Sequence, residues 1–179
     1  MTELFTGVKR EYYKNGQLRS EVFMCNGKEE GELKIFYENG QLFCYCLYVN
    51  GKKEGEHKEF YKNGQLWVHC FYVNGEIEGE YKSFHLNGQL RENCFYINGK
   101  EEGECKYFHE NGQLWINCFY VNGVKEGVHK EFYRNGQLYK YCFFVDDKLD
   151  GEHKIYLGDG QLWKQCLYKN GIWQQYLYK

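Results

Sequence analysis

Strand-length runs in which apolar and polar residues alternate, each closed by an Asn-Gly dipeptide, follow one another along the whole chain. In Asn50–Val73 the order is Asn-Gly-Lys-Lys-Glu-Gly, then Glu-His-Lys-Glu-Phe-Tyr, then Lys-Asn-Gly, then Gln-Leu-Trp-Val-His-Cys-Phe-Tyr-Val. Alternation with period two is the mark of a strand whose faces meet different surroundings. Asn-Gly supplies the positive φ angles of a type I′ hairpin turn. Twelve Asn-Gly dipeptides occur, and Asp146-Asp147 and Asp159-Gly160 stand at two further turn positions. The pattern predicts an all-β fold, an elongated single-layer antiparallel β-meander with two strands in each repeat.

The tetrapeptide Asn-Gly-Gln-Leu returns every 24 residues, at Asn15–Leu18, Asn39–Leu42, Asn63–Leu66, Asn87–Leu90, Asn111–Leu114 and Asn135–Leu138. A seventh copy, Asp159–Leu162, keeps the register with Asp for Asn. One array of tandem hairpins is expected over residues 1–179, in units of about 2–25, 26–49, 50–73, 74–97, 98–121, 122–145 and 146–169, with a partial copy at 170–179. In such an array each unit contacts its neighbours, and function lies along a repeated surface rather than in a single pocket.

Strand register follows from the turns. A two-residue turn at Asn63-Gly64 sets Lys62 opposite Gln65, Tyr61 opposite Leu66, Phe60 opposite Trp67 and His57 opposite Cys70. A turn at Asn74-Gly75 sets Val73 opposite Glu76 and Cys70 opposite Gly79. A longer second loop through Gly55 and its equivalents changes the stagger but not the sides. One face then collects His57, Glu59, Tyr61, Leu66, Val68, Cys70 and Tyr72. The other collects Glu56, Lys58, Phe60, Gln65, Trp67, His69, Phe71 and Val73. Both are half apolar, whereas a sheet solvated on one side has a plainly polar face. One face is therefore expected to be covered, by curling of the sheet or by another chain.

Composition narrows the function. Aromatics make up 20% of 179 residues, with 21 Gly and no Pro, a strand-and-turn composition. A formal net charge of −2 gives no electrostatic footing for nucleic acid or for an anionic membrane. The start, Met1-Thr-Glu-Leu-Phe-Thr-Gly, lacks the layout of a signal peptide, and no apolar run reaches 18 residues, so an intracellular, cytoplasmic protein with reduced cysteines is expected.

The stretches Asn50-Gly-Lys-Lys-Glu-Gly and Phe60-Tyr-Lys-Asn-Gly-Gln-Leu, with Tyr72 six residues on, resemble the MORN repeat, most closely its variant in YwqK-type antitoxin-like proteins. Aromatic, cysteine-rich arrays of this look are also similar to those multiplied in large DNA viruses of amoebae. The resemblance implies an elongated antiparallel sheet that binds protein or dimerises, with lipid binding as another family role. It favours the Leu/Cys/Tyr side as the inner face. It also implies an antitoxin-like role, or a virion or virus-factory location. Two positions depart from the family pattern: His57 where Trp is usual, and Cys70 where a small residue is usual.

Among candidate chemical groups, Cys46, Cys70, Cys94, Cys118, Cys142 and Cys166 form a ladder. Its rungs lie two strands apart, at least ~9.5 Å, too far for a disulfide or a shared zinc ion. They read as soft core filler. His57–Cys70, His129–Cys142 and His153–Cys166 face each other across hairpins, and recurrence in three units reads as packing. Cys105 takes the place of His57 and faces Cys118 at disulfide distance. Glu32/Lys34, Glu56/Lys58, Glu80/Lys82, Glu104/Lys106 and Glu152/Lys154 read as a solvated charge ladder. No metal, cofactor or catalytic residue is expected.

The remaining lead is aromatic. A binding stripe is expected at Phe60, Trp67, Phe71, Phe108, Trp115, Phe119, Phe132, Tyr139, Phe143 and Trp163, and edge pairing at Trp173, Tyr176, Leu177 and Tyr178. The expected function is a non-enzymatic scaffold that binds a protein partner or self-associates. A toxin-neutralising protein and a lipid-surface binder are the alternatives.

Overall fold

A computed structural model describes residues 4–178; Met1, Thr2, Glu3 and Lys179, which the expected array includes, lie outside the described residues. Every regular element among the described residues is a strand. The chain falls into two compact units, Met1–Gly88 and Gln89–Lys179. The first holds β1 (Gly7–Tyr12), β2 (Leu18–Cys25), β3 (Lys28–Phe36), β4 (Leu42–Val49), β5 (Lys52–Phe60), β6 (Leu66–Val73), β7 (Glu76–Ile77) and β8 (Gly79–Phe84). The second opens with β9 (Leu90–Ile97), β10 (Lys100–Glu101), β11 (Gly103–Phe108), β12 (Leu114–Val121), β13 (Val124–Lys125) and β14 (Gly127–Phe132). It continues with β15 (Leu138–Val145), β16 (Lys148–Leu149), β17 (Gly151–Tyr156), β18 (Leu162–Lys169) and β19 (Ile172–Tyr178).

Within each unit every pairing is antiparallel and joins chain neighbours. In the first unit β1 to β6 pair in succession, and β6 holds both β7 and β8, two pieces of one interrupted strand. In the second, β10/β11, β13/β14 and β16/β17 are interrupted in the same way against β9, β12 and β15. The predicted meander of hairpins is the fold of each unit.

The two Asn-Gly turns of a repeat differ. At the second, Asn74 (φ 54°) and Gly75 (φ 92°) are both left-handed, the type I′ turn predicted, and Val73 faces Glu76. At the first, Gly64 has a φ of 84° while Asn63 is not left-handed. Gly64 N–H donates to the Tyr61 carbonyl at 2.8 Å, and Tyr61 N–H donates to the Gln65 carbonyl at 2.8 Å. This is a type I turn closed by a left-handed glycine, a three-residue loop in place of the expected two-residue turn. Phe60 therefore faces Leu66 rather than Trp67, Glu59 faces Val68, and Trp67 is the extra residue of the bulge. Beyond it His57 faces Cys70, as expected. The bulge also breaks strict alternation, because the ring of Tyr61 lies 5.7 Å from that of Trp67, assigned to the opposite face.

Asn63 favours this turn because its Oδ1 accepts the Gln65 N–H at 3.1 Å, a local bond characteristic of Asn and Asp. At Asn63 the other end of the amide donates to Gln65 Oε1 at 2.9 Å, whereas in the second unit it reaches the next copy. Asn111 Nδ2 donates to the Arg134 carbonyl at 3.0 Å and Asn135 Nδ2 to the Gly158 carbonyl at 3.2 Å. Asp159 keeps the acceptor half, taking the Gln161 N–H at 2.9 Å, and has no amide to donate. The recurring tetrapeptide is thus a turn and a stitch between copies.

A second slip separates successive hairpins. Leu47 faces Glu54 but Cys46 faces His57, so Gly55, left-handed at φ 72°, and Glu56 are looped out. The equivalent slip lets Val68 face Ser83 and His69 face Lys82. Carried one residue further, that register puts Tyr81, not Gly79, opposite Cys70. Two extra residues leave the sides unchanged, since side chains alternate with period two. The acid before each bulge is used: Glu54 accepts the N–H of Asn74 at 2.7 Å, and Glu30 and Glu102 do the same for Asn50 and Asn122.

The cysteine face is the buried one. Cys46, Cys70, Cys94, Cys118, Cys142 and Cys166 are buried, together with Val22, Val68, His57, Ser83 and His129. Tyr96, Tyr107, Ile116 and Tyr120 pack against Cys94, Cys105 and Cys118. Small side chains at the centre let the larger rings beside them close over the row. This assigns the Leu/Cys/Tyr side as the inner face.

Candidate functional site

The opposite face carries the expected aromatic stripe. Its rows are read from the register: Glu32 faces Leu47 and Glu56 faces Phe71 in the first unit; Glu104 faces Phe119, Val128 faces Phe143 and Glu152 faces Leu167 in the second. A phenylalanine or leucine thus alternates with a glutamate along the row. Each of these glutamates is bridged to the lysine two residues on, at 2.5 to 2.8 Å in Glu32–Lys34, Glu56–Lys58, Glu80–Lys82, Glu104–Lys106 and Glu152–Lys154. The lysine bond is the main cause that lowers the carboxyl pKa of Glu32, Glu56 and Glu104.

Two copies break the alternation: Val8, facing Phe23, and Val128 stand where the others hold glutamate. Arg10 beside Val8 is bridged to Glu21, whereas at the second break Phe119, Val128 and Phe143 form an apolar run and Lys130 has no carboxylate two residues before it. An open depression on this face is lined by Glu104, Asn117, Cys118, Phe119, Gly127, Val128 and Lys130. Phe119 is 43% exposed and Trp115 45%. The signal was already in the sequence, where Val128 interrupts the Glu/Lys charge ladder.

The stripe residues divide into two groups. Phe71, Trp115, Phe119, Phe143 and Trp163 are exposed, whereas Phe60, Trp67, Phe108, Phe132 and Tyr139 are half-buried. The half-buried Trp67 and Tyr139 each contact the ring six residues earlier, Trp67 tilted over Tyr61 and Tyr139 edge-on to Tyr133, and Trp115 is tilted over His109. Exposed phenylalanines outside the expected stripe are Phe5, Phe23 and Phe95. The expected edge residues Trp173, Tyr176, Leu177 and Tyr178 are all exposed on β19, which pairs with β18.

On the buried face the bulge changes the chemistry. His57 faces both Cys46 and Cys70, and Cys44 faces Glu59. The sulfurs of Cys44 and Cys46 and a ring nitrogen of His57 lie within 4.8 Å of one another, and all three residues are buried. His57 Nε2 is engaged by Glu59 Oε1 at 3.2 Å, while Nδ1 is buried without a hydrogen-bond partner. Interaction with Cys44 holds the Cys46 thiol down to about 5, against burial and with help from His57. The same interaction, with burial, pushes Cys44 far above the usual thiol range. Burial pulls the His57 pKa down, but the Cys46 sulfur and Glu59 outweigh it and the net direction is up.

The Cys105 expectation is corrected. Cys105 faces Cys118 as expected, yet the disulfide joins it to Cys94, with a Cα–Cα distance of 4.4 Å. Carrying the register of Lys106 opposite Asn93 one residue on places Cys105 opposite Cys94 as well.

An antiparallel array of hairpin copies, buried along a cysteine row and displaying an aromatic row, defines a tandem β-hairpin repeat protein. A family model described as "MORN repeat variant" matches at residues 5–26, 29–50, 53–74, 77–98, 101–122, 125–146 and 149–170. The chain belongs to this family, whose repeats generally mediate protein or lipid interactions. No curated protein matches it. Among solved structures, a mutant of S. aureus TarM in complex with fondaparinux, alpha-GlcNAc-glycerol and UDP is similar at 11% identity and a TM-score of 0.36. That match covers 67% of this chain and 21% of the TarM chain.

Proposed function

We propose that this chain is a non-enzymatic scaffold that binds a protein partner through its aromatic face, centred on Phe119, Val128 and Phe143, with the exposed Trp115 on the same strand as Phe119. The supporting observation is the break in the charge ladder at Val128, which differs from the one at Val8 in that the neighbouring Arg10 there is already bridged to Glu21. Where Val128 replaces glutamate, exposed rings run together without an acid between them, and Lys130 is left to meet a partner's carboxylate. Exposed apolar patches rimmed by polar residues mark interaction sites. The chain's membership of an interaction-repeat family points the same way.

The test is quantitative capture of partners from the native source by wild-type chain and by two variants, followed by calorimetry on the recovered complex. Val128→Glu restores the acid, and Trp115→Ala removes an exposed ring. Each is expected to weaken binding by roughly 2 kcal/mol, as for a central interface residue, while Phe71→Ala in the first unit leaves it unchanged. Unaltered affinity in both folded variants refutes the assignment. A single small partner bound one to one marks an antitoxin-like role. Liposome flotation without a protein partner marks a lipid surface instead.

A further inference from the structure

The buried triad in the first unit joins Cys44 and Cys46 of one copy to His57 of the next, and the set occurs once among the described residues. The positions of Cys44, Cys46 and His57 are filled by Ser20, Val22 and Leu33 in the preceding copy and by Val68, Cys70 and Tyr81 in the following one. In the second unit they are filled by Glu92, Cys94 and Cys105, by Ile116, Cys118 and His129, and by Lys140, Cys142 and His153. His129 shares the buried Nδ1 without a hydrogen-bond partner, but Ile116 stands where a second sulfur is required. Packing accounts for a cysteine beside a histidine, an arrangement that returns at Cys118 with His129 and at Cys142 with His153. It does not account for a second cysteine on the same face of the same strand.

We propose that Cys44 Sγ, Cys46 Sγ and His57 Nδ1 form a binding site for a thiophilic d10 cation, zinc(II) or copper(I). The donors fit in kind, because thiolates and imidazole are the ligands that select these ions. They also fit in spacing. Around a tetrahedral ion with sulfur bonds of ~2.3 Å, neighbouring sulfurs stand ~3.8 Å apart, so atoms already within 4.8 Å need only small side-chain rotations. The outer arrangement is that of a metal-binding histidine: the carboxylate of Glu59 holds Nε2 and leaves Nδ1 for the ion. Zinc would take its fourth ligand from water or from a donor outside the chain, whereas copper(I) is satisfied by three. Binding displaces thiol protons and gives the orphaned Nδ1 a partner, linking the ion to the stability of this copy.

The experiment uses the full chain, reduced and stripped of metal, titrated separately with zinc(II), copper(I) and cobalt(II) as a spectroscopic probe. One ion per chain by native mass spectrometry is expected, with thiolate-to-cobalt charge-transfer absorption. Two variants borrow residues that the following copy tolerates at the same places, Cys44→Val and His57→Tyr. Each should weaken binding about a hundredfold or more, beyond the roughly 10–100-fold expected for the outer variant Glu59→Gln. Cys142→Ala should bind as wild type does. Circular dichroism confirms folding, and two substitutions guard against one that fails to fold. No stoichiometric complex with any of the three ions overturns the proposal, as does binding undiminished in either folded variant.

Discussion

Glu131 offers a measurable link between one charge cluster and stability. Its carboxylate bonds His129 Nε2 at 2.9 Å and Lys140 Nζ at 2.8 Å, with only 21% of the side chain exposed. The His129 bond is the largest cause holding its pKa at about 2, from an ordinary 4.5, with Lys140 adding and burial opposing. A folded pKa below the unfolded one means that the folded state releases the proton more readily. The stabilisation is then fully present above the unfolded value and is lost as pH falls through the folded value. At ~1.4 kcal/mol per unit the shift corresponds to about 3 kcal/mol at pH 7. Most of it persists at pH 4.5, and about 1 kcal/mol is left at pH 2.5. Urea unfolding of wild type and Glu131→Gln across that range isolates the term, because the other carboxylates cancel in the difference. The variant should be less stable by about 2–3 kcal/mol at pH 7, the gap closing below pH 4. A difference that stays constant with pH would refute the reasoning, since a packing defect does not titrate.

Two further tests address the joints between copies. The hydroxyl of Tyr61 donates to the Phe84 carbonyl at 2.8 Å, so Tyr61→Phe should cost about 1 kcal/mol by chemical denaturation. No loss would show that water replaces the stitch. Gly79 has a φ of 84° with no atom within 4 Å of an added Cβ, so Gly79→Ala meets no clash. Its cost is the left-handed backbone alone, about 1–2 kcal/mol, read as a lowered unfolding midpoint with an unchanged circular dichroism spectrum.

Much of this was legible from residues alone. The 24-residue period, the strand runs, the type I′ turn at Asn74-Gly75 and the rung of His57 opposite Cys70 follow from pattern and turn chemistry. The first turn was not, because the same dipeptide serves a type I′ turn with both residues left-handed and a type I turn with only Gly left-handed. The Asn63 side chain's bond to Gln65 N–H accompanies the second form. The looped-out Gly55 and Glu56 were equally hidden, since a two-residue slip preserves every side assignment. That slip decided the chemistry missed at Cys46. With Gly79 opposite Cys70, the equivalent partner of Cys46 would be Gly55, and His57 would lie out of its reach. The visible clue was Cys44, two residues before a ladder cysteine and therefore on its face. The inner face was obscured for another reason: cysteine scores as a minor apolar residue beside Phe and Trp, but its small size lets tyrosines close over it.

In an array of copies, what every copy shares must serve the array, so individual function is sought where one copy departs. The Asn-Gly-Gln-Leu turn, the Glu-to-Asn stitch between copies and the cysteine row are common property and are explained by folding. Three departures are not. Val128, like Val8, removes a charge from the exposed row, Cys44 adds a sulfur to the buried one, and Cys105 puts a thiol where other copies hold Leu33, His57, Tyr81, His129 or His153. None improves packing in an evident way, since neighbouring copies fold with the ordinary residue. They also lie on different faces, Val128 outward and the two cysteines inward. The outward row of the second unit can therefore meet a partner, while the inward row offers an ion site in the first unit and carries a disulfide in the second. Because Cys44 and Val128 sit in separate units, the two roles can be removed one at a time, and loss of metal in Cys44→Val with partner binding intact is what this division of labour requires.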